Sequence, residues 1–544
     1  MVYAFSLPTT SPLSFQSFTS SSTHPSLPQS ASTARHALRL ALKAHKRLPR
    51  GARQDAHLPT VLSALNNYLP YLFAISHGLR GQSIKLDNTI GSQYGSYNNP
   101  SAENQPRAGE EIEITLRAQI ESAWKPTLSS TSALHLSSSA GNSSTGKGFR
   151  ARGGRATGQG INFEIAFVLT TLGYVLSRLA RASVIQSVYA PVAQSAEQRT
   201  AAVQTATRHL LQASSVHGLL ASSPSLSVAA SGPASVSDVD TTTQSALASL
   251  ALAEATLLAV LKDDAYVAAC IQARNPNDRE WMVKAPDIPK VRALLFARLC
   301  VRAAEYAEQA AAGLGSVGSG KSGCLDDEIT RYAAVLGRVA RARACRFFGI
   351  DAELAGKCGE GIAWLRAART PLGLRGGAGS STGSDDPGLS TPSKSGFSRL
   401  KREWTERREE KKIVKDAGGG RSDKGLLEPG DDAGRDEEGR VITMLETKWV
   451  RMNDTINTQA IPPSAPLLSN LPSGRDIHTP PAPYNPPSLD EDQLMHMRAP
   501  PNEHEDLSFA NDPDDSDEED NSPETRAPPG GFPDRSETVS TVYY

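Results

Sequence analysis

The residues with the most chemical promise lie between Gly315 and Ser322. The run Gly-Ser-Val-Gly-Ser-Gly-Lys321-Ser322 matches a phosphate-binding loop letter for letter. Such a loop works because a strand delivers the chain into it, so that backbone N–H groups wrap the phosphates and the lysine reaches the outer oxygens. Here the preceding residues, Val301–Gly313, are Ala-rich and read as a helix, and no strand ending in a magnesium-binding Asp is visible. The run is therefore read as a Gly/Ser-rich connection, and no ATP chemistry is expected. Gly379-Ser-Ser381-Thr-Gly383 matches a nucleophile elbow, but it sits in low-complexity sequence with no recognisable His or acidic partner. The 11 His residues are scattered without metal spacing. Arg152-Gly-Gly-Arg155 could touch RNA, yet one short cluster is better read as loop. The sequence thus points away from an enzyme, and no cofactor, metal or nucleic-acid partner is expected.

Composition agrees. The chain has 544 residues with 57 basic and 58 acidic side chains, so net charge offers nothing to a polyanion. Only 39% of residues are hydrophobic and 6% aromatic, while 43 Gly and 36 Pro cluster in particular stretches. Length alone would allow several domains, but much of the chain is too polar to build a core. No run of about 18 apolar residues is free of polar breaks, so no membrane span is expected. The five cysteines are widely spaced and unpaired in pattern. Cys270, Cys300 and Cys345 read as small core residues, which suits a reduced, cytoplasmic protein.

The first acidic residue is Asp55, preceded by Arg35, Arg39, Lys43, Lys46, Arg47, Arg50 and Arg53. This is the composition of a mitochondrial presequence. The alternative, preferred here, is a surface helix over Ser32–Leu48 with Ala37, Leu38, Ala41, Leu42 and Leu48 turned inward.

The elements are mostly helical. Apolar spacing near 3.6 predicts helices over His57–Leu79 (with a kink or break at Pro70), Glu110–Trp124, Gly160–Tyr189, Val192–Leu220, Thr241–Arg274, Ile288–Leu314, Leu325–Phe348, Asp351–Arg369 and Glu437–Thr455. Ser398–Asp416 reads as a mixed-charge helix. Low-complexity insertions are placed at about 83–107, 128–160, 222–240, 373–396 and 416–434. Residues 488–544 read as a disordered acidic, Pro-rich tail, in which Ser516 precedes three acidic residues as in an acidic-directed kinase site. Long consecutive helices joined by turns imply an all-α solenoid-like stack.

Four stretches together resemble the Bro-type, boomerang-shaped domain of ALIX and its relatives. They are Phe163–Ala180, Leu250–Lys262, Lys357–Ala368, and Asn453–Ile456 with Ile461-Pro462 downstream. Four further runs, Phe5–Thr10, Glu280–Val291, Phe347–Gly356 and Ser473–Pro480, are similar to the branch of that family serving ambient alkaline-pH signalling in fungi. The resemblance implies one domain over residues 1–487, all-α with a TPR-like core and at most a small N-terminal β element.

It also implies a non-enzymatic adaptor. Its helical domain would bind the C-terminal helix of the core ESCRT-III filament subunit and support a calpain-like protease that activates a pH-responsive transcription factor. The chain would be cytoplasmic, recruited through partners to cortical plasma-membrane or endosomal sites. The positions matching the family's groove are Leu257, Val260, Leu261, Val267 and Ile271. The rival reading is a generic helical-repeat scaffold with another endosomal or cytosolic partner. Longer relatives continue into an arm that reads Tyr-Pro peptides, so this chain is expected not to do so. Pro463-Ser-Ala-Pro466 matches the motif read by the first ESCRT complex in extended peptides; the alternative is a Pro segment packed along the core.

Overall fold

In the computed structural model the described residues are 2–82, 111–129, 155–190, 195–223, 236–272, 290–318, 325–374, 430–477, 479 and 481–500. Ser398–Asp416, Gly379–Gly383, Ser516, Cys324, Lys321 and Ser322 lie outside them. Residues 1–498 form one compact unit.

Its N-terminal part combines α1 (Leu27–Arg47), α2 (Ala52–Ala56) and α3 (Leu58–Leu79) with five short strands. These are β1 (Thr9–Thr10), β2 (Thr19–Ser21), β3 (Ile114–Leu116), β4 (Glu121–Lys125) and β5 (Ala156–Gln159). They pair antiparallel in the order β1-β4-β5, with β2-β3 separate. The helix expected over Glu110–Trp124 is thus a pair of strands. Ile112, Leu116, Ile120 and Trp124 do recur every four residues, but that spacing also fits period two. Ile112 and Ile114, then Ile120, Ser122 and Trp124, are the buried positions, while Leu116 is 54% exposed. Part of the expected 128–160 insertion is likewise β5. Proline 70 does not divide α3, which is continuous.

The rest is a row of helices, each packed on the next: α4 (Ile161–Ser187), α5 (Ala196–Ser222), α6 (Thr241–Leu261), α8 (Lys290–Gly318), α9 (Asp327–Leu354), α10 (Cys358–Leu372) and α11 (Arg435–Met452). A short α7 (Ala265–Gln272) packs on α11. Local signals fix the ends. Ser195 and Gln198 close a capping box on α5, and the Asp240 carboxylate accepts the Thr242 and Thr243 amides on α6. The expected single helix over Thr241–Arg274 breaks because Asp264 is buried, takes the Val267 amide and so starts α7. The expected break near Phe348 is absent, and α9 runs on to Leu354. Gly349, inside that extension, lets α10 pack closely, since a Cβ there would stand 3.1 Å from the Gly361 carbonyl of α10. Asp238, expected in a loop, is fully buried and accepts the amides of Thr127, Leu128 and Ser129.

Two apolar cores result. One holds the strands, α1, α3 and the N-terminal half of α4; the other lies between the helices from α4 to α11. Both α4 and α6 are long and apolar enough to cross a membrane, contrary to the reading of the sequence. The candidate windows are 89% and 78% buried inside the fold, so they are core helices. The four described cysteines are buried free thiols. Helix α1 has Leu38, Ala41 and Leu42 inward as expected, but Ala37 faces out. The chain stays ordered past Ser488: α13 (Glu491–Met497) seats Leu494 and Met497 in the first core.

Candidate functional site

Four of the five residues proposed from the sequence are not on a surface. Leu257, Val260 and Val267 are wholly buried, Leu261 is nearly so, and Ile271 is partly buried against the same core. They cannot form an exposed stripe, because their helical phase points them between α5, α8 and α11. Beside them Ala259 on α6, and Lys262 and Asp263 just past its end, do reach solvent, and they open into a cleft of about 560 Å³.

Three helices make this cleft. Helix α5 contributes Val203, Thr207, Arg208 and Leu211, at one- and two-turn spacing along one face. Helix α8 contributes Arg292, Leu295, Phe296 and Leu299, again on one face. Val203, Phe296 and Leu299 are buried and form the floor; Leu211 and Leu295 are half-buried walls. The rim carries Arg208, Lys262 and Arg292 against one carboxylate, Asp263, which holds Lys262 and Arg292 only loosely, each at 4.0 Å.

A fourth wall comes from far along the chain. The segment Ser473–Ile477 crosses α8 on the ridge beside the groove face. The Arg475 amide donates to the Arg298 carbonyl at 3.1 Å, and Arg298 Nε donates to the Ser473 carbonyl at 3.2 Å. Asp476 accepts from Arg302 Nε at 2.8 Å and from the Tyr306 hydroxyl at 2.7 Å. Hydrogen bonds to Glu305 and Asp476 push the Arg302 pKa further up. Gly474 is required here, since a Cβ would fall 2.7 Å from the Arg302 backbone. The strap leaves Ile477 46% exposed, lining the groove. Sequence periodicity could not reveal this wall, because the strap has no period; a Gly-Arg-Asp-Ile run after a helix was its only trace.

The Pro463–Pro466 motif is not extended in this fold. Ser464 precedes α12 (Ala465–Ser469) with helical backbone angles, and Pro466 lies in its first turn. The phosphate-loop match also fails structurally, as Gly315–Gly318 is the last turn of α8.

The chain is 57% identical over 540 residues to the pH-response regulator protein palC of Emericella nidulans, covering 99% of this chain and all of that one. The chain belongs to the PalC family of pH-response regulators. No family model matches it. Among solved structures, this PalC-family chain is similar to the ALIX BRO1–CHMP4C complex, at TM-score 0.46 and 15% identity over 89% of this chain and 96% of that one. It is also similar to a structure described as the basis for endosomal targeting by the Bro1 domain, at TM-score 0.41 and 12% identity over 91% and 95%. The PalC-family chain is a row of helices with a small β element in its N-terminal part.

Proposed function

We propose that this chain is a non-enzymatic adaptor of the ambient-pH response, and that the α5/α6/α8 groove receives an amphipathic helix from the core ESCRT-III filament subunit. The observation that carries the reading is the groove: an apolar floor between parallel walls of side chains, with a basic rim. Helix-in-groove binding needs apolar anchors facing such a floor, and the rim selects a helix with acidic flanks. The partner's identity comes from the sequence resemblance. Bound there, the adaptor would bring ESCRT-III to the calpain-like protease that activates a transcription factor, at cortical or endosomal membranes.

The test is fluorescence anisotropy of the full chain with the labelled C-terminal helix of that subunit. Leu295→Asp is expected to weaken binding at least about ten-fold, since a charge would be buried against the peptide, and Lys262→Glu to weaken it less. Folded wild-type protein that leaves the peptide free would sink the reading.

A further inference from the structure

We propose that the outer face of α1, extended by the ends of β4 and β5, is a docking surface for an anionic lipid bilayer. At about 100° per residue, Arg39, Leu40, Lys43, Lys46 and Arg47 fall within an arc of roughly 120°, opposite the buried residues Ala31, Leu38, Leu42 and His45. Lys125, at the end of β4, and Arg155, just before β5, complete the surface. These cations lie close enough to oppose one another's charge: Arg39, Arg155 and Arg47 act on Lys43, and Lys125 and Arg155 on Lys46. Burial contributes to the lowered pKa of Lys46, and in second place to that of Lys43. None of the six forms an ion pair with a described acidic residue, and the buried atoms Arg39 Nε and Arg155 Nη1 have no hydrogen-bond acceptor among the described residues. The sequence reinforces this, as no acidic residue precedes Asp55.

Clustered like charge is destabilising unless something anionic meets it. Two features favour a bilayer over a nucleic acid or an acidic peptide. Leu40 is 51% exposed at one edge of the basic arc, beside Arg47, where an apolar side chain costs little at a headgroup boundary and gains nothing from a polyanion. Among the described residues no exposed Phe, Tyr or Trp accompanies it to stack on bases, the exposed ring on this face being the His36 imidazole. The helix also presents its cations along its length, suited to lying flat. The surface lies on the N-terminal core, whereas the groove lies on the other, so the chain could hold a membrane and a partner helix at once.

The experiment is co-sedimentation of the full chain with phosphatidylcholine vesicles, with and without 30% phosphatidylserine (about that fraction serves), over a salt series. Each cation near an anionic surface changes partitioning roughly five-fold. The triple variant Lys43→Gln, Lys46→Gln, Arg47→Gln is therefore expected to lose binding on the order of a hundred-fold, and added salt to do likewise. The control Arg338→Gln, Lys357→Gln removes exposed cations from the helical core and is expected to bind as wild type. The proposal is overturned if wild type stays in the supernatant or if the triple variant sediments unchanged. It is also overturned if wild type binds a polyglutamate chain or an RNA oligonucleotide, with the same triple-variant sensitivity, but not the vesicles. Peptide binding in the groove is unaffected by these variants, so the two readings fail separately.

Discussion

Glu164 of α4 and Glu254 of α6 are both fully buried, one in each core, and their surroundings drive them in opposite directions. Around Glu164, Arg35 Nε donates at 2.7 Å, Trp124 Nε1 at 2.7 Å and the Tyr68 hydroxyl at 3.2 Å. Burial works to raise its pKa, but the Arg35 charge and these donors overcome it and hold the carboxyl below its usual range. Among the described residues Glu254 accepts from neutral donors, the Tyr3 amide at 2.9 Å and the Tyr332 hydroxyl at 3.1 Å. Burial wins there and pushes the pKa up to about 7, against the smaller opposing pulls of the Tyr3 and Tyr332 hydrogen bonds and, last, of the Arg181 charge. Hydrogen bonds alone therefore do not keep a carboxylate ionised in this interior; a guanidinium does. Glu438 repeats the Glu164 pattern inside the helical core, where Arg343 and Arg346 from α9 hold it to α11 and Arg346 also reaches Asp264.

The contrast can be broken first at Glu438. Glu438→Ala leaves two arginines buried with one carboxylate, and is expected to cost about 3–5 kcal/mol in urea denaturation. Glu164→Ala should cost less, because Arg35 keeps the Ser11 carbonyl and the Thr10 hydroxyl. Equal losses would show that the two ion sites are energetically alike.

Glu254→Gln sharpens the contrast from the other side. The folded pKa of Glu254 lies above its ordinary value of 4.5. Its stabilising contribution is thus complete below about 4.5 and gone above about 7. Gln keeps the acceptor and removes the charge. The variant should gain roughly 1–3 kcal/mol at pH 8 and almost nothing at pH 4, read from denaturation midpoints at the two pH values. For Glu164 the sign reverses: its contribution is present above the ordinary carboxylate range and lost as pH falls through the lowered value.

The smallest effect is expected outside both cores. Arg302 and Asp476 are 34% and 52% exposed, so Asp476→Ala should change stability by less than about 1 kcal/mol. It should nevertheless weaken peptide binding in the groove, because Ile477 loses its tether; an unchanged anisotropy curve would show that the strap is not a working wall.

How far the sequence reached follows from the same physics. Helices α4 to α11 were readable as helical stretches because their apolar residues repeat locally, although the α6–α7 break and the end of α9 were not. Strands β3 and β4 were not, since their order depends on partners such as Thr19 and Thr9, about a hundred residues away. For the groove, the family resemblance pointed to Leu257 and Val260, but a match of apolar residues does not say whether they face a core or a ligand, and both are buried. Leu211, Leu295 and Ile477 come from separate segments, and only tertiary packing brings them together. The buried ion sites left a usable signal: Arg343, Arg346 and Glu164 are charges at inward phases of otherwise apolar helices.

The strap also sets an order of events during synthesis. Arg302 and Asp476 are 174 residues apart, and at 5–20 residues per second a ribosome needs roughly 9–35 s to make the stretch between them. During that interval α5, α6 and α8 already exist, but the groove lacks its last wall. A chain that ends between Met452 and Ser473 therefore carries every helix of the row and still lacks that wall. Completion of the binding surface is timed by translation itself.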